Sequence, residues 1–318
     1  MSLNPFILVA ATTALFIPCS SRGDLTVETS SQPVTWTLKQ DGKPVLVYAF
    51  SPQAFKPYVK ALYTTSGRNV LRDSPHDHLH HHALMYGIKV NGVNFWEEVP
   101  GCGVQRVMQT SEPKLLPDSG GSQAEIHQVL HWVTPEDAFL PPTNSPALLT
   151  EQRTITLTIN PQTHEVAVHW RSVFEVGTKT NIVTLTGANY HGLGMRFIEE
   201  LDPFATHFSA DGSPDLSDNK QDVSAHKWTA VSFKDGNSPV TIALFGHPAN
   251  SHGNANFFSM KTPFAYLSAT QGLEKEPLVY RRGEHFELDY LLCLYPEVKS
   301  SQDLEKRYQQ WESSPRAR

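Results

Sequence analysis

The chain has 318 residues, of which 39% are hydrophobic, 10% aromatic and 18% charged, enough apolar material for a sizeable core and too much for extended disorder. Its 26 Lys and Arg against 32 Asp and Glu give a formal net charge of -6, with no basic stripe to grip nucleic acid. No run of about 18 apolar residues occurs, so no membrane-spanning helix is expected.

In chain order, residues 6–18 come first, an uncharged and mostly apolar stretch. It is too short to span a bilayer and stands where a secretory signal carries its hydrophobic region. Small residues suited to cleavage follow at Ser21 and Gly23. The expectation is a signal peptide over 1–23 and a secreted or periplasmic protein, although no Lys or Arg precedes the stretch. Lipidation at Cys19 is the lesser variant, because Pro18 spoils the preceding lipobox. With 1–23 removed, Cys102 and Cys293 remain, as one disulfide or as two buried thiols.

Short alternating stretches parted by Gly, Pro, Asn and Asp then predict antiparallel β-structure. Strands are expected at 34–39, 45–49, 126–133, 183–188, 229–233, 240–245 and 286–294. Ile155, Leu157 and Ile159 alternate with threonines, a turn follows, and Val166, Val168 and Trp170 resume the pattern as a hairpin. Leu84, Tyr86, Ile88 and Val90 lead into Asn91-Gly92, the favoured two-residue hairpin turn. Residues 134–150, with four prolines, read as a long exposed loop. From Ser301, the spacing of Leu304, Tyr308 and Trp311 predicts a helix packed outside the sheets, with a loose tail to Arg318.

Within this pattern stands His76-Asp77-His78-Leu79-His80-His81-His82, five imidazoles and a carboxylate in seven residues. Imidazole titrates nearest neutrality and is a common metal ligand, so the cluster suits proton transfer, metal binding or both. Extended, the segment would turn His76, His78, His80 and His82 to one face, and His78, His80 and His82 are the candidate ligands of a divalent metal. Ser74-Pro75 with Asp77 offers a competing helix start. Further on, Tyr190-His191-Gly192-Leu193-Gly194 and Arg196 place glycines where backbone can approach a ligand and a guanidinium that can clamp a carboxylate or hydroxyls. Gly246-His247-Pro248-Ala249-Asn250 sets a histidine at a strand end, and Trp96-Glu97-Glu98 sets an aromatic face beside two carboxylates. A tryptophan in a strand also suits the core. There is no Walker-type glycine loop, nucleophile elbow, Cys-x-x-Cys or His-Glu-x-x-His.

The histidine motif, Val90-Asn91-Gly92-Val93-Asn94-Phe95-Trp96-Glu97-Glu98, Tyr190-His191-Gly192-Leu193-Gly194 and Phe245-Gly246-His247-Pro248-Ala249-Asn250 resemble the bacterial PmoA-like family. The resemblance spreads over about 55–295. It departs where the family's His-His-Arg-Gly gives way to His82-Ala83, and where a histidine expected near Val107 is missing. The family's label, methane oxygenase, implies a membrane subunit with several spanning helices, and the chain has none. Its strands and loop histidines are also similar to galactose mutarotase-like β-sandwiches. That likeness implies an all-β fold: a large antiparallel two-sheet β-sandwich over 24–300, with a C-terminal helix and tail over 301–318.

The leading expectation is a secreted enzyme whose histidines move protons on a sugar or oligosaccharide, alone or with a divalent metal. Epimerisation, mutarotation, elimination and hydrolysis all stay open. His78, His81 and His191 are the candidate catalytic groups, with Glu199 as supporting carboxylate. His76, Trp96, Tyr190, Arg196, His247 and Asn250 are the candidate substrate contacts. The alternatives are a non-catalytic sandwich stacking glycans on Trp96 and Tyr190, and a copper or iron oxidase in the sense of the family label.

Overall fold

The computed structural model describes residues 24–117 and 122–315. The expected signal peptide, with Cys19, and the tail residues 316–318 lie outside the described residues.

The alternating segments pair into two nine-stranded antiparallel sheets and one small sheet of four strands. The first sheet runs, in spatial order, through Leu25–Ser31, Val34–Gln40, Lys43–Ala49, Tyr58–Leu62, Leu84–Gly87, Gly192–Arg196, Tyr266–Thr270, Asn256–Met260 and Gln221–Ala225. The second runs through Ala205–Ser209, Trp228–Phe233, Val240–Gly246, His285–Tyr295, Glu165–Val176, Leu149–Asn160, Ser122–Val133 and Val104–Thr110, with Lys114–Pro117 added on Ser122–Val133. The small sheet joins Leu278–Arg281, Ile182–Thr186, Lys89–Val90 and Val93–Asn94. The expected all-β sandwich with a C-terminal helix is what the chain forms.

Period-two alternation decides which side chains meet between the sheets. In the 155–170 hairpin, Ile155 faces Trp170, Leu157 faces Val168 and Ile159 faces Val166, all in the shared core. Trp36, Tyr48, Leu84 and Tyr86 fill that core from the first sheet, against Trp132, Phe174 and Leu292 of the second. Truncating one of these aromatics would cost about 3–5 kcal/mol. Asn91 and Gly92 take φ of 49° and 81°, the left-handed pair that a tight hairpin turn demands.

The second sheet is covered on its other side too. Phe245, Leu291, Cys293 and Tyr295 point away from the shared core and are roofed by Leu304 and Tyr308 of the helix Ser301–Glu312. This double burial makes 291–294 an unbroken apolar run. Ser300 and Asp303 form a capping box at the helix start, and Arg307 clamps Glu165 at 2.9 and 3.0 Å. Cys293 lies buried beneath this helix, Cys102 is buried elsewhere, and both are free thiols. The 134–150 loop is less exposed than its prolines predict. It holds two short turns, Asp137–Phe139 and Pro142–Asn144, and buries Asp137, Ser145, Ala147 and Leu148.

Candidate functional site

The histidine segment is neither the extended strand its alternation allows nor the helix its Ser-Pro start allows. It makes two successive turns, with His78 N–H donating to Pro75 O at 3.0 Å and His81 N–H to His78 O at 2.9 Å. Ser74 and Ala83 bracket it with φ of 47° and 49°. Turns gather neighbours that a strand would separate. The rings of His78 and His81 stack at 4.6 Å, and His80 meets His81 edge-on at 4.6 Å.

His82 leaves this group. Its Nδ1 lies 2.8 Å from Asp73, its Nε2 lies 2.9 Å from Glu98, and its ring stacks on Tyr58 at 4.3 Å. Lys56, itself buried, ties Glu98 and the Trp96 carbonyl at 2.8 and 2.9 Å. Burial pulls the His82 pKa down, but its hydrogen bonds to the two carboxylates outweigh it and hold it above the ordinary value. His82 therefore staples the base of the loop. The metal trio does not form, since His82 points away from His78 and His80. Among the described residues no three His, Cys, Asp or Glu side chains converge as metal ligands.

The floor beneath the loop is Trp96, fully buried and laid against the outward face of the first sheet. The glycines of that sheet make this possible. A Cβ at Gly194 would stand 2.0 Å from Tyr266 Oη and 2.8 Å from Trp96 Cη2. One at Gly87 would stand 2.7 Å from the Phe95 carbonyl. The Gly192-Leu193-Gly194 signal thus marks close packing, with no ligand required: Gly194 admits two aromatic side chains, and a Cβ at Gly192 would stand 2.1 Å from the Ala269 carbonyl. His191 lies flat on Trp96 at 5.0 Å and 18°, with Nε2 3.8 Å from Glu97 Oε1. Asn94 Oδ1 accepts from the amides of Trp96 and Glu97 at 2.8 and 3.2 Å, a local turn that fixes the glutamate. The His191 imidazole, helped by Asn94 and opposed by burial, brings the Glu97 carboxyl to about 2, so Glu97 is ionised at neutral pH.

Over this floor opens a cleft of about 370 Å³. His78, His80, His81, Glu97 and Tyr190 line it with Phe258, Met260, Phe264 and Tyr266, and Gln221 and Pro263 complete it. The volume falls in the range of small-molecule sites. His81 is 7% exposed, and burial, with the neighbouring His80, His78 and Arg196, pushes its imidazole to about 3. It is neutral at physiological pH. His81 Nδ1, Tyr266 Oη, Trp96 Nε1, Ser268 Oγ and Arg196 Nε and Nη1 are buried without hydrogen-bond partners. Such atoms are scarce in folded proteins. The six named here stand on or beside the outward face of the first sheet, while others, such as those of His131 and His207, lie apart in the second.

Of the residues singled out in the sequence, His78, His80, His81 and Tyr190 line the cleft, and His191 lies directly behind Glu97. Trp96 is too buried to stack on a ligand. Arg196 is 3% exposed, with its guanidinium 3.1 Å from the centre of the Phe264 ring. His76 is exposed and does not line the cleft. Glu199 is also exposed, paired with Arg72 at 2.6 Å. His247 and Asn250 lie in the turn after Val240–Gly246 of the second sheet, away from the cleft. The His247 ring meets Trp311 of the helix at 5.3 Å, and Asn250 bonds both backbone groups of Asp289. Glu97 stood in the Trp96-Glu97-Glu98 signal without a role. Phe258, Phe264 and Tyr266 gave no signal beyond their aromaticity, because only strand pairing brings 256–270 beside 192–196.

The fold and cleft define an antiparallel β-sandwich with a histidine- and aromatic-lined site on an outward sheet face. Residues 35–309 match a family described as "Family of unknown function (DUF6807)", and the chain belongs to it. No curated protein matches the chain. Among solved structures it is similar to the galactosidase domain of the alpha-galactosidase-sucrose kinase AgaSK, at 11% identity and a TM-score of 0.46, over 86% of this chain and 42% of that one. A variant of the GH36 alpha-galactosidase AgaA from Geobacillus stearothermophilus, in complex with stachyose, gives 10% and 0.40 over 87% and 41%. The alpha-N-acetylgalactosaminidase NagBb from Bifidobacterium bifidum gives 8% and 0.36 over 92% and 38%. The chain thus spans less than half the length of each. The matching family is one of unknown function, so the PmoA resemblance is corrected to membership of that family.

Proposed function

We propose that the cleft binds a sugar and moves a proton on it, with Glu97 and His81 as the exchanging groups. What carries this reading is one cavity that joins an ionised carboxylate, a neutral imidazole, aromatic walls and unmet buried hydrogen-bonding atoms. A sugar ring offers apolar C–H faces to aromatic walls and hydroxyls to the polar atoms. Proton abstraction needs a base at one end and a donor at the other, and both must hold the right protonation state at working pH. Glu97 supplies the base. His81 serves as the partner that takes up or returns the second proton, and Asn94, bonded to the Glu97 amide and carboxylate, positions Glu97 beside His191.

Glycoside hydrolysis in its usual form needs two carboxyl groups astride the bond. Glu97 is the sole carboxylate among the lining residues, which favours mutarotation, epimerisation or elimination. A metal-centred oxidase reading has no converging ligand set behind it among the described residues. The apolar stretch 6–18 supports export, so we place this activity outside the cytoplasm.

The test is NMR of a hexose and hexuronate panel in D₂O, following anomer exchange and solvent deuterium uptake with wild type, E97Q and H81Q. Exchange that both variants lose supports the proposal. Binding without any exchange would return the protein to a non-catalytic glycan binder. Exchange that survives both substitutions would refute the assignment.

A further inference from the structure

We infer that Arg196 forms an oxyanion subsite behind Phe264, so that the sugar taken by the cleft carries an acidic group. This deepens the proposed sugar site and rests on it. Arg196 projects from the outward face of Gly192–Arg196, directly opposite Tyr266 in the strand register. Its guanidinium is buried, yet Nε and Nη1 have no hydrogen-bond partner among the described residues. The remaining nitrogen, Nη2, reaches Asp77 only at 3.4 Å, whereas a charge-assisted bond closes to about 2.7–2.9 Å. Asp202 is also near, but its Oδ1 already accepts the Ala265 N–H at 2.9 Å. A buried cation so weakly met is costly unless an anion completes it.

Phe264 is what separates this cation from the cleft. One face of its ring lies on the guanidinium, and the residue itself lines the cavity. It follows the exposed residues Lys261, Thr262 and Pro263, so its covering position depends on a surface loop. A swing of Phe264 opens Arg196 to a carboxylate or sulfate on the sugar. His81, neutral, stands beside this position, its ring 6.1 Å from Trp96 and 6.0 Å from Phe264.

The experiment is calorimetric titration of matched sugars: glucose, galactose and mannose, their uronates and their 6-sulfates, against wild type, R196Q and F264A. Wild type is expected to prefer acidic over neutral partners at least tenfold. R196Q should bring that ratio within twofold, and F264A, with the cation uncovered, should raise it. A preference confined to uronates assigns a carboxylate, and one shared by the 6-sulfates assigns charge alone. Equal binding of neutral and acidic sugars by wild type would overturn the subsite and leave the sugar site standing. Absence of binding by any sugar would bring down both. If R196Q does not fold, an F264A ratio no higher than that of wild type overturns the subsite.

Discussion

Gly194→Ala tests how the floor of the cleft is built. The added Cβ would stand 2.0 Å from Tyr266 Oη and 2.8 Å from Trp96 Cη2, both far inside van der Waals contact. Neither ring has room to withdraw. Trp96 is pinned under His191, and Tyr266 is hemmed by Phe258 and Phe264 at 6.1 and 6.3 Å between ring centres. Overpacking of this kind costs about 1–3 kcal/mol. Alanine also restricts the unfolded chain, which returns about 0.4–1 kcal/mol because Gly194 does not occupy the left-handed region. The packing loss wins, for a net destabilisation of about 1–2 kcal/mol, read as a lower urea midpoint by tryptophan fluorescence. Tyr266→Phe removes the closest atom. Its hydroxyl has no partner, so the single change should cost under about 1 kcal/mol. In the double variant the Cβ would meet Tyr266 Cζ at 3.0 Å and still press on Trp96, so part of the loss should return. A Gly194→Ala protein as stable as wild type would refute this account, as would a double variant with strictly additive losses.

Two neighbouring histidines should respond to pH in opposite senses. His81 is held near 3, so the unfolded chain takes up a proton near pH 6.5 that the folded chain refuses. That difference removes about 1 kcal/mol of stability between pH 6.5 and 5.5, and H81Q should abolish the slope in unfolding titrations. His82 is held above its usual value, so its contribution is present in full below about pH 6.5 and fades as pH rises through the elevated value. H82Q should therefore lose more stability at pH 5.5 than at pH 9. E97Q is expected to slow proton exchange at least ~100-fold, and with Glu97 near 2 no limb of the pH–rate profile between pH 4 and 9 should belong to it. Zinc or copper should leave the unfolding midpoint where it is, whereas binding by a converged trio of imidazoles would raise it through linkage.

The strands were most legible where alternation was long and one-sided. The 155–170 hairpin and the Asn91-Gly92 turn appear in the structure as the residues dictate, because burial of one face and the left-handed turn are local demands. The strands at 192–196, 205–209, 256–260 and 266–270 were not foreseen. They are five residues each, and three of them, with Gln221–Ala225, form the half of the first sheet that carries the cleft. Gly192–Arg196 in particular reads as a glycine-rich loop. Gly194 answers to Tyr266 and Trp96, side chains that arrive from 72 and 98 positions away, and Gly192 to the Ala269 backbone, constraints local sequence does not contain.

The histidine cluster shows the same division between what composition says and what geometry decides. Five imidazoles in seven residues pointed to a site, but an extended reading assigned them by even and odd position. Two turns regroup them, so that His78, His80 and His81 share the cleft while His82 faces Asp73 and Glu98. Asp73 and Glu98 are what draw His82 out, and the staple they form holds the Trp96-Glu97-Glu98 segment under the loop. Glu97 then reaches the cleft because Glu98, its neighbour on the chain, is spent on Lys56 and His82. One carboxylate of the pair closes the structure and frees the other for chemistry, which is why neither glutamate's role could be read from the pair alone.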